Sequence, residues 1–214
     1  MTIQECIDAS LKLLNQYTIM GQQIPITYND QEDDKIRMLP LINDAMMEIA
    51  TNARPIIAYT EFTVPKKDPK EPCKDLLFEM PEDFDRATAI LFTPAFGHDR
   101  TTREADFYKW FGDDTLALPN RYPGVYRVEY MRYPAQYNET TPLTTELDNT
   151  PDTHTVIPYY VAAMIANYDD QKAYYNLFNQ WETKLSRLGY KPPHATFEPI
   201  RDEYRFNHFW PWGI

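Results

Sequence analysis

Apolar residues recur every three or four positions near the start of the chain, which predicts two amphipathic helices. The first begins at a capping box formed by Thr2 and Glu5, and we expect it to end near Gly21. The second begins at position 29 or 30. Pro40 lies inside this second helix and removes one backbone hydrogen bond, so a kink or a restart is expected there.

The segment 156–165 predicts a third helix that is apolar on almost every side, with Pro158 in its first turn. Such a helix must be covered all round, and the other helices of the chain look too few for that. A neighbouring copy is therefore expected to supply part of the cover, with these interface candidates: Tyr159, Tyr160 and Met164. A fourth helix follows, capped by Asp170 and closed by Gly189 in the left-handed conformation.

Between the helix pairs, the hydrophobic pattern changes to one that is typical of strands. Strands are predicted at 57–64, 76–80, 86–93 and 125–132, whereas 104–114 fits either a short helical turn or a strand. The sequence therefore predicts an α+β fold, a small antiparallel helix bundle with an inserted antiparallel β-sheet region and an extended C-terminal tail. The expected boundaries are 1–54 and 136–189 for the bundle, 55–135 for the β insertion and 190–214 for the tail.

The predicted tail is rich in proline and in aromatic residues. These side chains would form an unfavourable apolar surface if they were exposed to water. We therefore expect the tail to lie on its own domain, on a neighbouring subunit or on another partner. The docking candidates are Phe197, Tyr204, Phe206, Phe209, Trp210 and Trp212.

Composition limits the possible partners and compartments. The net charge of −11 and the pI near 4.8 disfavour tight nucleic-acid binding, because an acidic surface repels phosphate. No apolar run reaches the roughly 18 residues that a membrane span needs, and the acidic N-terminus does not resemble a signal peptide. Cys6 and Cys73, the only cysteines, favour a reducing compartment and provide no zinc site.

Motifs for catalysis are absent from the sequence. The two serines lie on predicted helices, the four histidines are scattered singly, and no glycine-rich phosphate loop occurs. No catalytic residue, metal site or cofactor is therefore predicted. A hydrolase with paired acids stays open as an alternative, because the spacing of such acids is set in space. One loop between predicted strands is basic and contains Lys66, Lys67, Lys70 and Lys74. We expect this loop to be solvated, and a contact with phosphate is the less favoured alternative.

The order of the elements resembles that of the head–tail connector proteins (adaptor or head-completion proteins) of tailed bacteriophages. The resemblance covers roughly residues 1–189 and rests on layout and hydrophobic pattern. The stretches that carry it are TIQECIDASLKLL, DDKIRMLPLINDAMMEIAT, YRVEYMRYP, TPDTHTVIPYYVAAMIANYDD and QKAYYNLFNQWETKLSRL.

This resemblance implies a structural virion protein and not an enzyme. About twelve copies would form a ring below the portal, connect the head to the tail and line the DNA channel. The implied partners are the portal protein, tail or neck proteins and passing double-stranded DNA that is not bound specifically, with no membrane. The implied location is the virion neck, after synthesis in the host bacterial cytoplasm.

An acidic channel wall would let DNA slide past. The candidates for that wall are Glu32, Asp33, Asp34, Asp113 and Asp114, although a helix N-terminus and a solvated turn explain these acids more simply. Two further alternatives stay open: a tail-associated hydrolase with an acidic site and a monomeric protein-interaction module.

Overall fold

The computed structural model describes residues 1–17, 30–96 and 101–189. The helices are α1 (Ile3–Tyr17), α2 (Asp30–Asn52), α3 (Ile157–Asp169) and α4 (Gln171–Leu188), with a 3-10 turn at Pro151–Thr153. The strands are β1 (Ile56–Val64), β2 (Asp75–Glu79), β3 (Phe84–Pro94), β4 (Arg103–Glu104), β5 (Lys109–Phe111), β6 (Thr115–Pro119) and β7 (Gly124–Arg132).

The expected helix bundle with one inserted sheet is wrong. The described residues form four α-helices and two antiparallel sheets, which is an α+β fold. One sheet has the strand order β1-β7-β3-β4 and the other has the order β2-β6-β5. The difference arises at 103–119, where β4 pairs with β3, whereas β6 pairs with both β2 and β5. The extended tail expected at 190–214 lies outside the described residues.

The chain divides into two compact units. The described part of the first unit comprises 1–17, 30–58, 81–86 and 130–189, and that of the second comprises 59–80, 87–96 and 101–129. All four helices belong to the first unit, and the whole three-stranded sheet belongs to the second.

Local sequence signals fix the helix ends. The Glu5 amide donates to Thr2 Oγ1 at 3.2 Å while the Thr2 amide donates to Glu5 Oε2 at 2.9 Å, which confirms the capping box. Asp170 Oδ1 accepts two amide hydrogen bonds of 3.0 Å at the start of α4, as expected. Gly189 ends α4 with φ 63° and ψ 149°, a region open to glycine that differs from the expected left-handed helical one. Helix α2 continues through Pro40 without a restart.

Helix α3 is covered by helices of its own chain, contrary to the expectation from its composition. Ile157 and Val161 are fully buried in a core to which α1, α2 and α4 contribute. On another side, Ala162 and Ala163 pack with Leu177 of α4, where small side chains let the two helices approach closely. The apolar character of α3 therefore does not by itself require a second copy.

The connection from β7 to α3 lacks regular strands and helices over most of its length, but polar contacts hold its path. Arg132 donates two hydrogen bonds of 2.6 and 2.7 Å to the Asp148 carboxylate, which also accepts from the Ala135 amide at 2.8 Å. The side chain of Asn43 in α2 exchanges two hydrogen bonds of 2.9 Å with the backbone of Tyr137. This part of the first unit is therefore fixed by one pair of charged side chains and by side chains that bond to backbone groups.

Candidate interaction surface

The register of the three-stranded sheet separates an inner face from an open face. Opposed residues of antiparallel strands share a face, so Phe78, Leu116 and Trp110 lie on one side. The Phe78 ring lies 4.9 Å from the ring of Phe62 in β1, which shows that this side is packed within the second unit. Leu77, Ala117 and Lys109 consequently lie on the opposite side.

Large apolar side chains are exposed on the open face and beside it. Leu77 is 63% exposed, Phe111 in the neighbouring row is 54% exposed, and Tyr108 next to β5 is 41% exposed. Single exposed apolar residues are common on protein surfaces, whereas a group of them marks an interaction site. Aromatic residues in particular are enriched in protein–protein interfaces.

A pocket of about 530 Å³ opens on the same side of the sheet. We call it the basic pocket, and it is lined by Cys73, Lys74, Asp75, Asp106, Phe107, Tyr108, Lys109, Ala117, Pro119 and Arg121. Three cations therefore face two carboxylates, beside two aromatic rings. The volume lies within the range of ligand-binding clefts, and the lining combines apolar area with a few charged groups.

Asn120 holds one wall of the basic pocket in place. Its buried side chain donates to the Pro72 carbonyl at 3.1 Å and accepts from the Lys74 amide at 3.1 Å. The Asn120 amide also donates to the Lys74 carbonyl at 2.9 Å. These three hydrogen bonds fix the backbone on both sides of Cys73, so this wall is preorganised.

Aromatic stacking supports the opposite wall. The Phe107 ring lies 3.9 Å from Tyr122 and 5.3 Å from Phe92, measured between ring centroids. The Arg121 guanidinium lies 4.7 Å from the centroid of the Tyr122 ring, a distance at which a cation is attracted to an aromatic face. Phe107 and Arg121 are therefore held by a shared aromatic neighbour.

The charges around the basic pocket suit an acidic partner. Lys109 Nζ lies 3.5 Å from Asp75 Oδ2, but both side chains are exposed and water screens such a pair. Lys67 Nζ lies 3.6 Å from Cys73 Sγ, which brings a fourth cation to the wall. The pocket thus gathers positive charge in a chain whose net charge is −11.

The predicted acidic channel residues fall in two places. Asp113 and Asp114 are exposed in the turn between β5 and β6, where Asp114 Oδ1 accepts from the Thr115 hydroxyl at 3.1 Å. The other three acids, Glu32, Asp33 and Asp34, belong to the first turns of α2, and their side chains lie outside the described part of the structure. Nothing in these positions tests a channel wall, which stays a prediction.

The predicted interface residues of α3 are all partly covered. Tyr160 lies 5.1 Å from Trp181 between ring centroids, and Lys184 Nζ lies 4.6 Å from the centroid of the Tyr159 ring. Met164 is also half-buried. Each of these side chains keeps some surface that a partner can contact. The docking candidates of the tail lie outside the described residues: Phe197, Tyr204, Phe206, Phe209, Trp210 and Trp212.

Sequence reasoning identified Lys74 as part of a basic loop but missed the pocket beside it. The pocket residues come from three separate stretches, 73–75, 106–109 and 117–121, and only strand pairing brings them together. The alternation in β2 was the one available signal, since it places Asp75 and Leu77 on the same face.

Across residues 1–17, 30–96 and 101–189, no group of three His, Cys, Asp or Glu side chains could hold a metal ion. Within the same ranges, no helix has both the length and the apolar character that crossing a membrane requires. No protein-family model matches the chain, and no curated protein matches it.

Proposed function

We propose that this chain is a structural, non-enzymatic subunit of the head–tail connector of a tailed bacteriophage. About twelve copies form a ring below the portal, in the neck of the virion, and surround the DNA that passes through. The observation that carries the proposal is the group of exposed apolar residues, Leu77, Tyr108 and Phe111, beside a preorganised pocket. Such a surface is typical of a protein that binds other proteins.

The order of the elements supports the choice of a connector among protein-binding proteins. Two helices come first, seven strands follow, and two helices complete the described chain. A proline-bearing connection separates the last strand from α3. This is the order on which the resemblance to connector proteins rests.

The distribution of charge is compatible with DNA passage. Residues 1–58, 81–86 and 130–193 carry 18 Asp and Glu against ten Lys and Arg, a balance of −8. Repeated around a ring, an acidic wall repels the phosphate backbone and prevents DNA from adhering. We therefore propose that DNA passes without specific binding, while the portal, the tail or neck proteins and the sister copies are the binding partners.

A monomeric interaction module is the alternative, and one observation favours it. The described helices of a single chain already bury Ile157, Val161 and Ala162 of α3, so these side chains need no second copy for cover. The two functions differ in the number of copies that a partner binds, because a module binds singly whereas a connector subunit forms a ring.

The experiment is to produce the full chain together with the portal protein of the same genome and to purify the complex through a tag on the portal. We expect one copy of the chain per portal subunit by native mass spectrometry and a ring below the portal by electron microscopy. A portal recovered without the chain would contradict the proposal, and a single bound copy would favour the interaction module.

A matched variant tests the role of the aromatic tail in the same experiment. Replacing Trp210 and Trp212 by serine in the full chain should leave the circular dichroism spectrum unchanged and abolish recovery with the portal. Normal recovery of this variant would show that these tryptophans do not dock on the portal.

A further inference from the structure

The surface where α2 and α3 meet carries two acids beside an aromatic ring. Asp44 and Glu48 are exposed and lie four residues apart on α2, so they occupy the same side of the helix. Tyr160 lies on α3, which packs against α2, and its ring is half-buried. Burial is the main cause that raises the pKa of Tyr160, and the carboxylates of Asp44 and Glu48 add to it. We call Asp44, Glu48 and Tyr160 the acidic helix surface.

The basic pocket has the complementary chemistry. Its three cations outnumber its two carboxylates, and exposed apolar area is available at Leu77 and Phe111 beside it. The acidic helix surface belongs to the first unit and the basic pocket to the second, so every copy of the chain carries both.

We infer that the basic pocket of one copy binds the acidic helix surface of a second copy of this chain. The inference rests on the proposed connector function and names the two surfaces that join neighbouring copies. Charge complementarity argues for this occupant, because the pocket carries an excess of positive charge, whereas the partner surface presents the exposed carboxylates of Asp44 and Glu48.

A contact between two different surfaces has a consequence for assembly. It is heterologous, so each copy uses its pocket toward one neighbour and its helix surface toward another, and the copies form a closed ring when the rotation between them closes. A contact of one surface with itself would stop at a dimer.

The natural cysteines provide a direct test in the full chain. Cys73 is exposed on the pocket wall, whereas Cys6 is fully buried in α1. Glu48→Cys adds one thiol to the acidic helix surface. A bifunctional maleimide of short span should then join copies into a ladder of dimers, trimers and larger species, because each copy carries one accessible thiol on each surface.

Two variants control this cross-linking. Adding Cys73→Ser to Glu48→Cys should remove the ladder and leave at most a dimer. Gln171→Cys places an exposed thiol at the start of α4, about 15 Å along the helix from Trp181, which contacts Tyr160, and it should give no ladder. A ladder of equal strength from Gln171→Cys, or no ladder from Glu48→Cys, would overturn the inference.

Charge reversal supplies a second measurement. The pair Lys74→Glu and Lys109→Glu, and separately the pair Asp44→Lys and Glu48→Lys, should each weaken self-association in sedimentation at least about tenfold, while the four changes together should restore it. Unchanged association in both pairs, or no recovery in the combined variant, would contradict the contact.

The same variants on the portal separate this inference from the proposed function. If the chain forms a ring on the portal but Cys73 and the thiol at position 48 do not cross-link there, the connector function stands and the contact is wrong. If the chain does not join the portal at all, the connector function fails, while a ladder in the free chain would still support the contact between copies.

Discussion

The carboxylate of Asp148 shows how single residues stabilise the first unit. Hydrogen bonds from Arg132, aided by the Ala135 amide and the positive charge of Arg132, hold the pKa of Asp148 below its usual 3.8 despite partial burial. Because the folded pKa is the lower one, this contribution to stability is complete well above pH 3.8. It is lost as the pH falls through the folded pKa.

Replacing Asp148 with Asn should therefore lower the free energy of unfolding at pH 7 by about 1–3 kcal/mol, since a charge-assisted bidentate contact is lost. The difference from the natural chain should shrink as the pH falls below about 4. Urea denaturation at a series of pH values measures both effects. Asp113→Asn, in an exposed turn, is the matched control and should change the free energy by less than about 0.5 kcal/mol. A difference for Asp148→Asn that is constant with pH would contradict this account.

The two thiols should differ in reactivity because the thiolate is the reacting form. Burial raises the pKa of Cys6 to about 12, whereas Cys73 is exposed in the second unit. A thiol that reacts with an aromatic disulfide reagent releases a coloured product. In the folded chain, one thiol should react quickly with this reagent, and the other should react only after denaturation. Cys73→Ser should remove the fast phase, and two fast thiols in the folded chain would refute the prediction.

At the scale of elements, long periodic segments could be predicted from sequence and short strands could not. Helices α1 and α4 have side-chain caps and regular apolar spacing, and α3 is an apolar run with a proline in its first turn. The longest strands, β1, β3 and β7, have nine, eleven and nine residues. Strands β4, β5 and β6 have two, three and five residues. Their state depends on the partner strand more than on local pattern, which is why one predicted sheet became two.

The start of β7 depends on one glycine. A Cβ at Gly124 would overlap the Thr93 carbonyl oxygen and stand 2.6 Å from Cε2 of Phe92, so backbone and ring would both have to shift. Gly124→Ala should therefore lower the free energy of unfolding by more than about 2 kcal/mol, as measured by chemical denaturation.

Gly112→Ala is the matched control for Gly124→Ala. Gly112 has φ 67° and no atom within 4 Å of an added Cβ, so the substitution introduces backbone strain without a clash. It should cost about 1–2 kcal/mol. An equal or larger loss at Gly112 would show that close packing is not what requires glycine at position 124.

At the scale of the whole molecule, charge is distributed unevenly between the two units. Residues 59–80 and 87–129 carry nine Lys and Arg against eleven Asp and Glu, a balance of −2, and residues 194–214 add −1. The first unit has a balance of −8. The total of −11 conceals this difference. Composition alone therefore indicated an acidic protein. It did not predict a pocket lined by basic side chains from the β1–β2 loop and from β5.

Association between copies should weaken as salt is added, because the proposed contact joins exposed opposite charges. Raising the ionic strength from about 0.05 M to about 0.5 M shortens the screening length more than twofold and should shift the sedimentation profile toward the monomer. The charge-reversed pocket variant should not dissociate further as salt is added, because salt screens the repulsion between its new glutamates and the partner's acids. Stronger association at high salt would indicate that apolar contact at Leu77 and Phe111 dominates.

Because α1, α2 and α4 cover α3, a single copy of the protein can fold before it meets another copy. Val161, Ala162 and Ala163 are inaccessible to water within one chain, so these positions of α3 need no neighbour to bury them. Folded single copies can accordingly accumulate. In the proposed ring, their joining would follow mass action, so the protein concentration and the portal would decide when the ring grows.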